Sequence, residues 1–187
     1  HNNTKRGVRL LCVALALTVV TAVIMPMMHF EGAEIYFGIL HLLSLSMLIF
    51  SALRTGLDKI NPIVGIIICI AIYIFTYGVS AGYVGIAGLK TFDLPAVLYR
   101  TNYFMPLGFF NSSFHSADYF PLLPHLFMFL TGTFVGVYAA SGRFPAFTYR
   151  QRSKALCFLG RHALVIYIAH QPIIYGILWV VEKIIAK

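Results

Sequence analysis

The chain predicts an all-α fold, a polytopic bundle of about five membrane-spanning helices, on three observations. Hydrophobic residues fill 59% of the 187 positions and charged residues 11%, against roughly 45–50% and 25% in an ordinary soluble domain. The apolar residues fall in long continuous runs, not in the alternating pattern of a membrane barrel strand. The interiors of these runs carry almost no formal charge, so each can lie in hydrocarbon as a helix that satisfies its own backbone hydrogen bonds.

A bilayer core about 30 Å thick takes about 20 helical residues. The runs at 8–28, 35–54, 63–81, 119–140 and 164–181 reach or approach that length. The first follows the cations Lys5 and Arg6. The second sets Gly38, His41 and Ser44 on one face by i, i+3 spacing. The third carries a polar stripe of Tyr73, Thr76, Tyr77 and Ser80 near its far end. Residues 82–118 then form a loop, glycine-rich at first and aromatic later, with Tyr83, Tyr99, Tyr103, Phe104, Phe109 and Phe110. That is long for a connection without structure, so it is expected to fold back on the membrane as a lid. The fourth run contains Gly132 and Gly136, whose spacing allows close helix approach. A short basic loop, 141–163, bounded by Gly142 and Gly160, leads to the fifth. There Tyr167, His170, Gln171 and Tyr175 make another polar stripe. Pro172 removes a backbone donor and crowds the carbonyl of Ile168.

The charge pattern adds orientation. Ten of the fourteen Lys and Arg fall on one side: Lys5, Arg6, Arg9, Arg54, Lys59, Arg143, Arg150, Arg152, Lys154 and Arg161. Lys90, Arg100, Lys183 and Lys187 fall on the other. Cations accumulate in cytoplasmic loops, which predicts a cytoplasmic N-terminus and 141–163 loop and an external C-terminus. The net charge of +8 is spread over three short loops, so nucleic acid is not an expected partner. Cys12, Cys69 and Cys157 form neither a disulfide framework nor a CxxC metal motif. The chain reads as one membrane domain over 1–187, starting at His1 without a Met, and as the C-terminal part of a longer protein.

Polar residues inside a membrane are costly and mark functional candidates. His41 and His170 lead these, since histidine titrates near neutrality. Asp118 stands where the long loop enters a helix, beside Ser116, Tyr119 and Pro121. Its structural role would be a cap on that helix. Its functional role would be a carboxylate at the mouth of a cavity, orienting a histidine or an amine. The hydroxyl stripes have a structural alternative too, hydrogen bonding between helices. His29 and His115 read as solvated, and His162, beside Arg161, as interfacial or functional.

Three stretches carry a resemblance: IYFGILHLLSLSML at 35–48, PLGFFNSSFHSADYFPLLPHLFMFLTG at 106–132 and FLGRHALVIYIAHQPI at 158–173. Together with the opening NNTKRG, they resemble the catalytic membrane domain of the heparan-alpha-glucosaminide N-acetyltransferase family and its bacterial relatives. His125 stands where that family more often has Trp, and Ala163 where it often has Ser. The resemblance implies a multi-pass enzyme that moves acetyl from cytosolic acetyl-CoA to an amino sugar or glycan across the membrane. An integral protein of the bacterial plasma membrane is expected, and a homodimer is compatible with the sequence.

The residues suit that chemistry. Coenzyme A carries phosphates that need cations and donors. Lys154, Arg161 and His162, with Arg150 and Arg152, stand in the predicted cytoplasmic loop. Gln171 and His170 are assigned to the pantetheine end, His41 and Asp118 to the acceptor end, and Tyr77 and Tyr119 to the substrate. His41, Asp118 and His170, the catalytic candidates, are expected to face one internal cavity, with Asp118 and His170 roughly 20 Å apart in depth. No metal-ligand cluster, glycine-rich phosphate loop or G-x-S-x-G elbow is expected. A transporter or channel for a small polar solute would also place polar residues and broken helices in mid-membrane, and a non-catalytic membrane subunit would use them for packing.

Overall fold

Apolar runs of this length have one low-energy form in a bilayer, and the computed structural model, which describes residues 2–27, 32, 34–86, 89–150 and 153–185, is mainly helical. Four helices among the described residues are long and apolar enough to cross a membrane: Asn3–Met27, Ile39–Leu57, Pro62–Ala81 and Leu122–Ala140. They answer to the first four predicted runs, so the protein is an all-α polytopic membrane protein. The fifth run also lies in a helix, Ala163–Ile185.

The chain divides into two compact units, His1–Arg143 and Phe144–Lys187. In the first, helix α1 (Asn2–Val19) continues through a π-helical turn (Val20–Ile24) into α2 (Met25–Met27). The widened turn has a local cause. Pro26 lacks an N–H and its ring crowds the carbonyl four residues back. The turn ends with the Met25 amide on the Val20 carbonyl. Thr21 exploits this site: its hydroxyl donates to the Leu17 carbonyl at 2.9 Å and accepts from the Ile35 amide at 3.1 Å.

Helix α3 (Ile39–Leu57) turns at Asp58 into α4 (Pro62–Thr76), which begins on a strong start signal. Asn61 accepts from the Ile63 amide at 3.0 Å, and Pro62 occupies the first helical position. Helix α5 (Leu122–Ala140) ends at Gly142, whose φ of 72° is the left-handed conformation glycine adopts freely. Helix α1 packs along α3, α4 along α5, and α3 touches α5. One cluster buries Phe37, Leu42 and Leu122 and another Cys69, Leu130 and Phe134. Gly65 makes the second cluster fit: a Cβ there would lie 2.6 Å from the Phe134 ring. The opposite face of α4, with Ile63, Val64, Ile67 and Ile68, is exposed, as a lipid-facing surface must be. The Gly132 and Gly136 pair makes no close helix contact, since nothing described lies within 4 Å of where their Cβ atoms would be.

The connection between α4 and α5 is structured rather than a plain loop. Strand β1 (Tyr83–Ile86) pairs antiparallel with β2 (Leu89–Asp93), with Tyr83 opposite Asp93, Ile86 opposite Leu89, and an irregularity between Val84 and Gly85. The rest of the connection packs on its own rings. Phe110, Phe114 and Tyr119 meet pairwise at centroid distances of 5.1–5.2 Å, in tilted or edge-on contacts.

The second unit holds α6 (Lys154–Arg161) and α7 (Ala163–Ile185). The predicted short basic loop therefore contains a helix of its own, started by Ser153, which accepts from the Leu156 amide at 3.3 Å. Helix α7 runs through Pro172 without interruption.

Candidate functional site

The start of α3 gathers two of the sequence candidates. Gly38 precedes the helix in an extended conformation and has no side chain to cap it. His41, one turn on, fills part of that need, because its Nδ1 accepts from the Gly38 amide at 3.3 Å. Asp118 fills the rest from 79 residues away: its Oδ2 accepts from the Ile39 amide at 3.1 Å. The carboxylate thus lies at the positive end of α3. Asp118 does cap a helix, but α3 rather than the α5 it precedes. The seam is continued by the Ala117 amide on the Glu34 carbonyl (2.9 Å), the Phe120 amide on the Phe37 carbonyl (3.3 Å) and the Tyr36 amide on the Ser116 hydroxyl (3.3 Å). Gly38 is required here, since a Cβ would stand 2.5 Å from Asp118 Oδ2.

These bonds define the tautomer of His41. A backbone amide can only donate, so Nδ1 presents its lone pair and the neutral ring carries its proton on Nε2. That nitrogen faces the Thr18 hydroxyl of α1 at 3.3 Å. His41 is 5% exposed, lies 5.5 Å from the Phe37 ring, and its carbonyl accepts from the buried Ser44 hydroxyl at 2.9 Å. Both ring nitrogens are therefore engaged within the α1–α3 contact.

Tyr77 and Tyr119, the two substrate candidates, meet in one cavity of about 390 Å³. Ser80, Tyr83, Phe110 and His125 also line it. It lies where the α4–α5 connection meets the helix ends. Tyr119 donates to the Met105 carbonyl at 2.6 Å, and Tyr99 donates to the Val79 carbonyl. Burial raises the pKa of the Tyr99 phenol. Burial first, and the neighbouring Tyr99 second, raise that of Tyr119. Both phenols thus remain protonated donors; Tyr119 ties the connection to itself and Tyr99 ties it to the end of the third spanning helix. A second cavity, of about 550 Å³, opens between Glu34, Tyr36, Asn102, Tyr103 and His115.

Sequence reasoning noticed His125 only as a departure from a family pattern. It sits in the first turn of α5, its Nδ1 2.9 Å from the Pro121 carbonyl, edge-on to Phe120 and Tyr73. The available signal was a histidine at the start of an apolar run, four residues after a proline.

The remaining candidates belong to the second unit. Lys154 and Arg161 are the two ends of α6, and both are exposed. His162 forms the joint between α6 and α7; its Nδ1 lies 2.9 Å from the Phe158 carbonyl and its ring stacks 4.2 Å from Phe158. His170 donates from Nδ1 to the Tyr167 carbonyl. Gln171 is part of α7. Arg152 and His29 lie outside the described residues.

The profile of the heparan-alpha-glucosaminide N-acetyltransferase catalytic domain matches residues 1–172. The chain belongs to this family. No curated protein and no solved structure matches it. As a member of the heparan-alpha-glucosaminide N-acetyltransferase family, the chain is an integral membrane protein of acetyltransferase type. The matched region takes in the whole first unit, α6 and α7 as far as Pro172. It thus includes the α3 seam, the tyrosine-lined cavity and His170 with Gln171.

Proposed function

We propose that this protein transfers an acetyl group from cytosolic acetyl-CoA to an amino sugar or glycan on the far side of the membrane. The observation that carries the reading is the family match over residues 1–172. The cavity that joins Tyr77 and Tyr119 supports it, because aromatic walls with a few hydroxyls suit the apolar faces and polar rim of a sugar.

Acyl transfer to an amine needs donor groups for the oxyanion that develops on the thioester carbonyl, and a base for the amine's proton. In this reading Lys154, Arg161 and His162 hold the phosphates of coenzyme A, and Gln171 and His170 its pantetheine arm. Tyr77 and Tyr119 contact the acceptor. Asp118 and His41 serve the acceptor end by position, holding the first turn of α3. In this reading the protein lies in a bacterial plasma membrane with its N-terminus and α6 cytoplasmic and the cavity and C-terminus outside, an orientation that the ten-to-four division of cations favours. One family profile runs across the boundary of the two units.

The test uses the full-length protein in sealed proteoliposomes, with acetyl-labelled acetyl-CoA on the cytoplasmic side and glucosamine on the other. Labelled N-acetylglucosamine on the glucosamine side is the expected result. Retention of all label in acetyl-CoA, with the protein folded and correctly oriented, overturns the reading.

A further inference from the structure

We infer that the 550 Å³ cavity next to the tyrosine-lined one is a second sugar subsite, so that the acceptor is an oligosaccharide whose second unit is an amino sugar; this rests on the acetyl transfer proposed above. Glu34 is the residue that selects such a unit, and Tyr36, Tyr103 and Phe114 are the surfaces it stacks on.

The cavity is built from two stretches of chain. Glu34 and Tyr36 belong to the segment before α3 and flank Ile35, which is fully buried and whose amide donates to the Thr21 hydroxyl. The Glu34 carbonyl accepts from the Ala117 amide, and the Tyr36 amide donates to the Ser116 hydroxyl. The facing wall comes from the α4–α5 connection. There Asn102 Oδ1 accepts from the Asn111 amide at 3.0 Å, and Asn111 Oδ1 accepts from the Ser113 amide at 2.9 Å and its hydroxyl at 2.6 Å. Both walls are thus held by hydrogen bonds of their own. A volume of about 550 Å³ falls in the size range of small-ligand sites, roughly 300–1,000 Å³.

These walls leave open the chemistry that a sugar uses. Among the described residues, no hydrogen bond or ion pair engages the Glu34 carboxylate, the Tyr36 and Tyr103 hydroxyls or the His115 ring. Tyr103 is 88% exposed, so its ring contributes little to the fold. Exposed aromatic surface rimmed by polar groups marks a binding groove. A carboxylate only accepts hydrogen bonds, so Glu34 fits the hydroxyls of a sugar and best of all an ammonium, with which the bond is charge-assisted. Aromatic faces attract a cation as well. Glu34 alone among the lining residues carries a formal charge, and an amino sugar is its complement.

The two cavities share a wall, which is why one ligand can fill both. Phe114 lines the larger cavity, and Phe110 and Tyr119 line the smaller. The Phe114 ring meets those of Phe110 and Tyr119 at centroid distances of 5.2 Å and 5.1 Å. Tyr119 also donates at 2.6 Å to the carbonyl of Met105, a residue of the larger cavity. A glycan whose end sugar occupies the Tyr77–Tyr119 cavity therefore has its next unit one layer of rings away from Glu34 and Tyr36.

The test compares glucosamine with its β-1,4-linked disaccharide as acceptors for the full-length protein, in the wild type, E34Q and Y103A. We expect the wild type to show a higher kcat/KM for the disaccharide, gained through KM. E34Q keeps the shape of the side chain and removes its charge, and should lose about tenfold of that preference, the loss of one charge-assisted bond. Y103A removes an exposed ring and should lose about threefold. A wild type without the preference, or an E34Q that retains it in full, overturns the subsite and leaves the acetyltransferase reading intact. Calorimetric titration with the disaccharide alone decides the matter independently of turnover. Affinity about tenfold weaker in E34Q supports the subsite, and equal affinity in E34Q and wild type overturns it. Absence of acetyl transfer to either acceptor by the wild type, by contrast, counts against the acetyltransferase reading itself.

Discussion

At the scale of single residues, the membrane makes each polar group account for its hydrogen bonds, and the α3 start shows how. His41 and Asp118 were legible as unusual from their types and positions alone. Their partners were not, because Thr18 lies 23 residues from His41 and Ile39 lies 79 from Asp118. Tyr77 and Tyr119 were legible as candidates for one task, and the fold brings them to one cavity. The contact of His125 Nδ1 with the Pro121 carbonyl escaped because nothing in the residue types marks it. Tyr119 gives a prediction at this scale. Burial raises its folded-state pKa, so the folded protein holds this proton more tightly than the unfolded chain. The stability that follows is present in full below the ordinary tyrosine value of about 10 and is lost as pH rises toward the folded-state value. Thermal unfolding in detergent should therefore weaken more steeply with alkaline pH in the wild type than in Y119F. Equal slopes above pH ~10 would remove Tyr119 as the cause.

At the scale of elements, length and hydropathy predicted the long helices well, since a bilayer admits few other forms for such runs. The shorter features escaped. The β1–β2 hairpin has strands of only four and five residues, too short for a period to show, and α6 has eight residues. The π-helical turn follows from Pro26, a residue that the sequence reading passed over inside its first run. Helix pairing was misjudged in an instructive way. Gly132 and Gly136 had the spacing for close approach, yet the glycine that matters is Gly65, which receives the Phe134 ring between α4 and α5. Spacing says that a small residue could admit a neighbour; only the fold says which neighbour arrives. G65A should accordingly force Phe134 aside and cost about 1–3 kcal/mol, the usual range for overpacking. F134L in the same background should restore part of the loss. Chemical or thermal unfolding of the two variants measures both effects, and an additive double variant would show that Gly65 and Phe134 do not act on each other.

At the scale of the whole molecule, the question is which end of the bundle meets which compartment, and charge and fold can be set against each other. Four helices capable of spanning lie between the N-terminal cations and Arg143. An even number of crossings returns the chain to the side on which it began. If all four cross, the basic segments around Lys5 and around Lys154 share a compartment, and their cations favour the cytoplasm for it. The long connection that forms the tyrosine-lined cavity follows the third of these helices, and on that topology it is expected on the opposite side. Helix α7, with 23 residues, is about 35 Å long at 1.5 Å per residue, enough for one more crossing. A reporter inserted near Gln151 should therefore read cytoplasmic and one fused after Lys187 external. Weakening the bias by replacing Arg150, Lys154 and Arg161 with neutral residues should lower the fraction of molecules in that orientation. Finding both reporters in one compartment would mean that α7 does not cross, and His170 and Gln171 would then have no path to a donor held within the membrane.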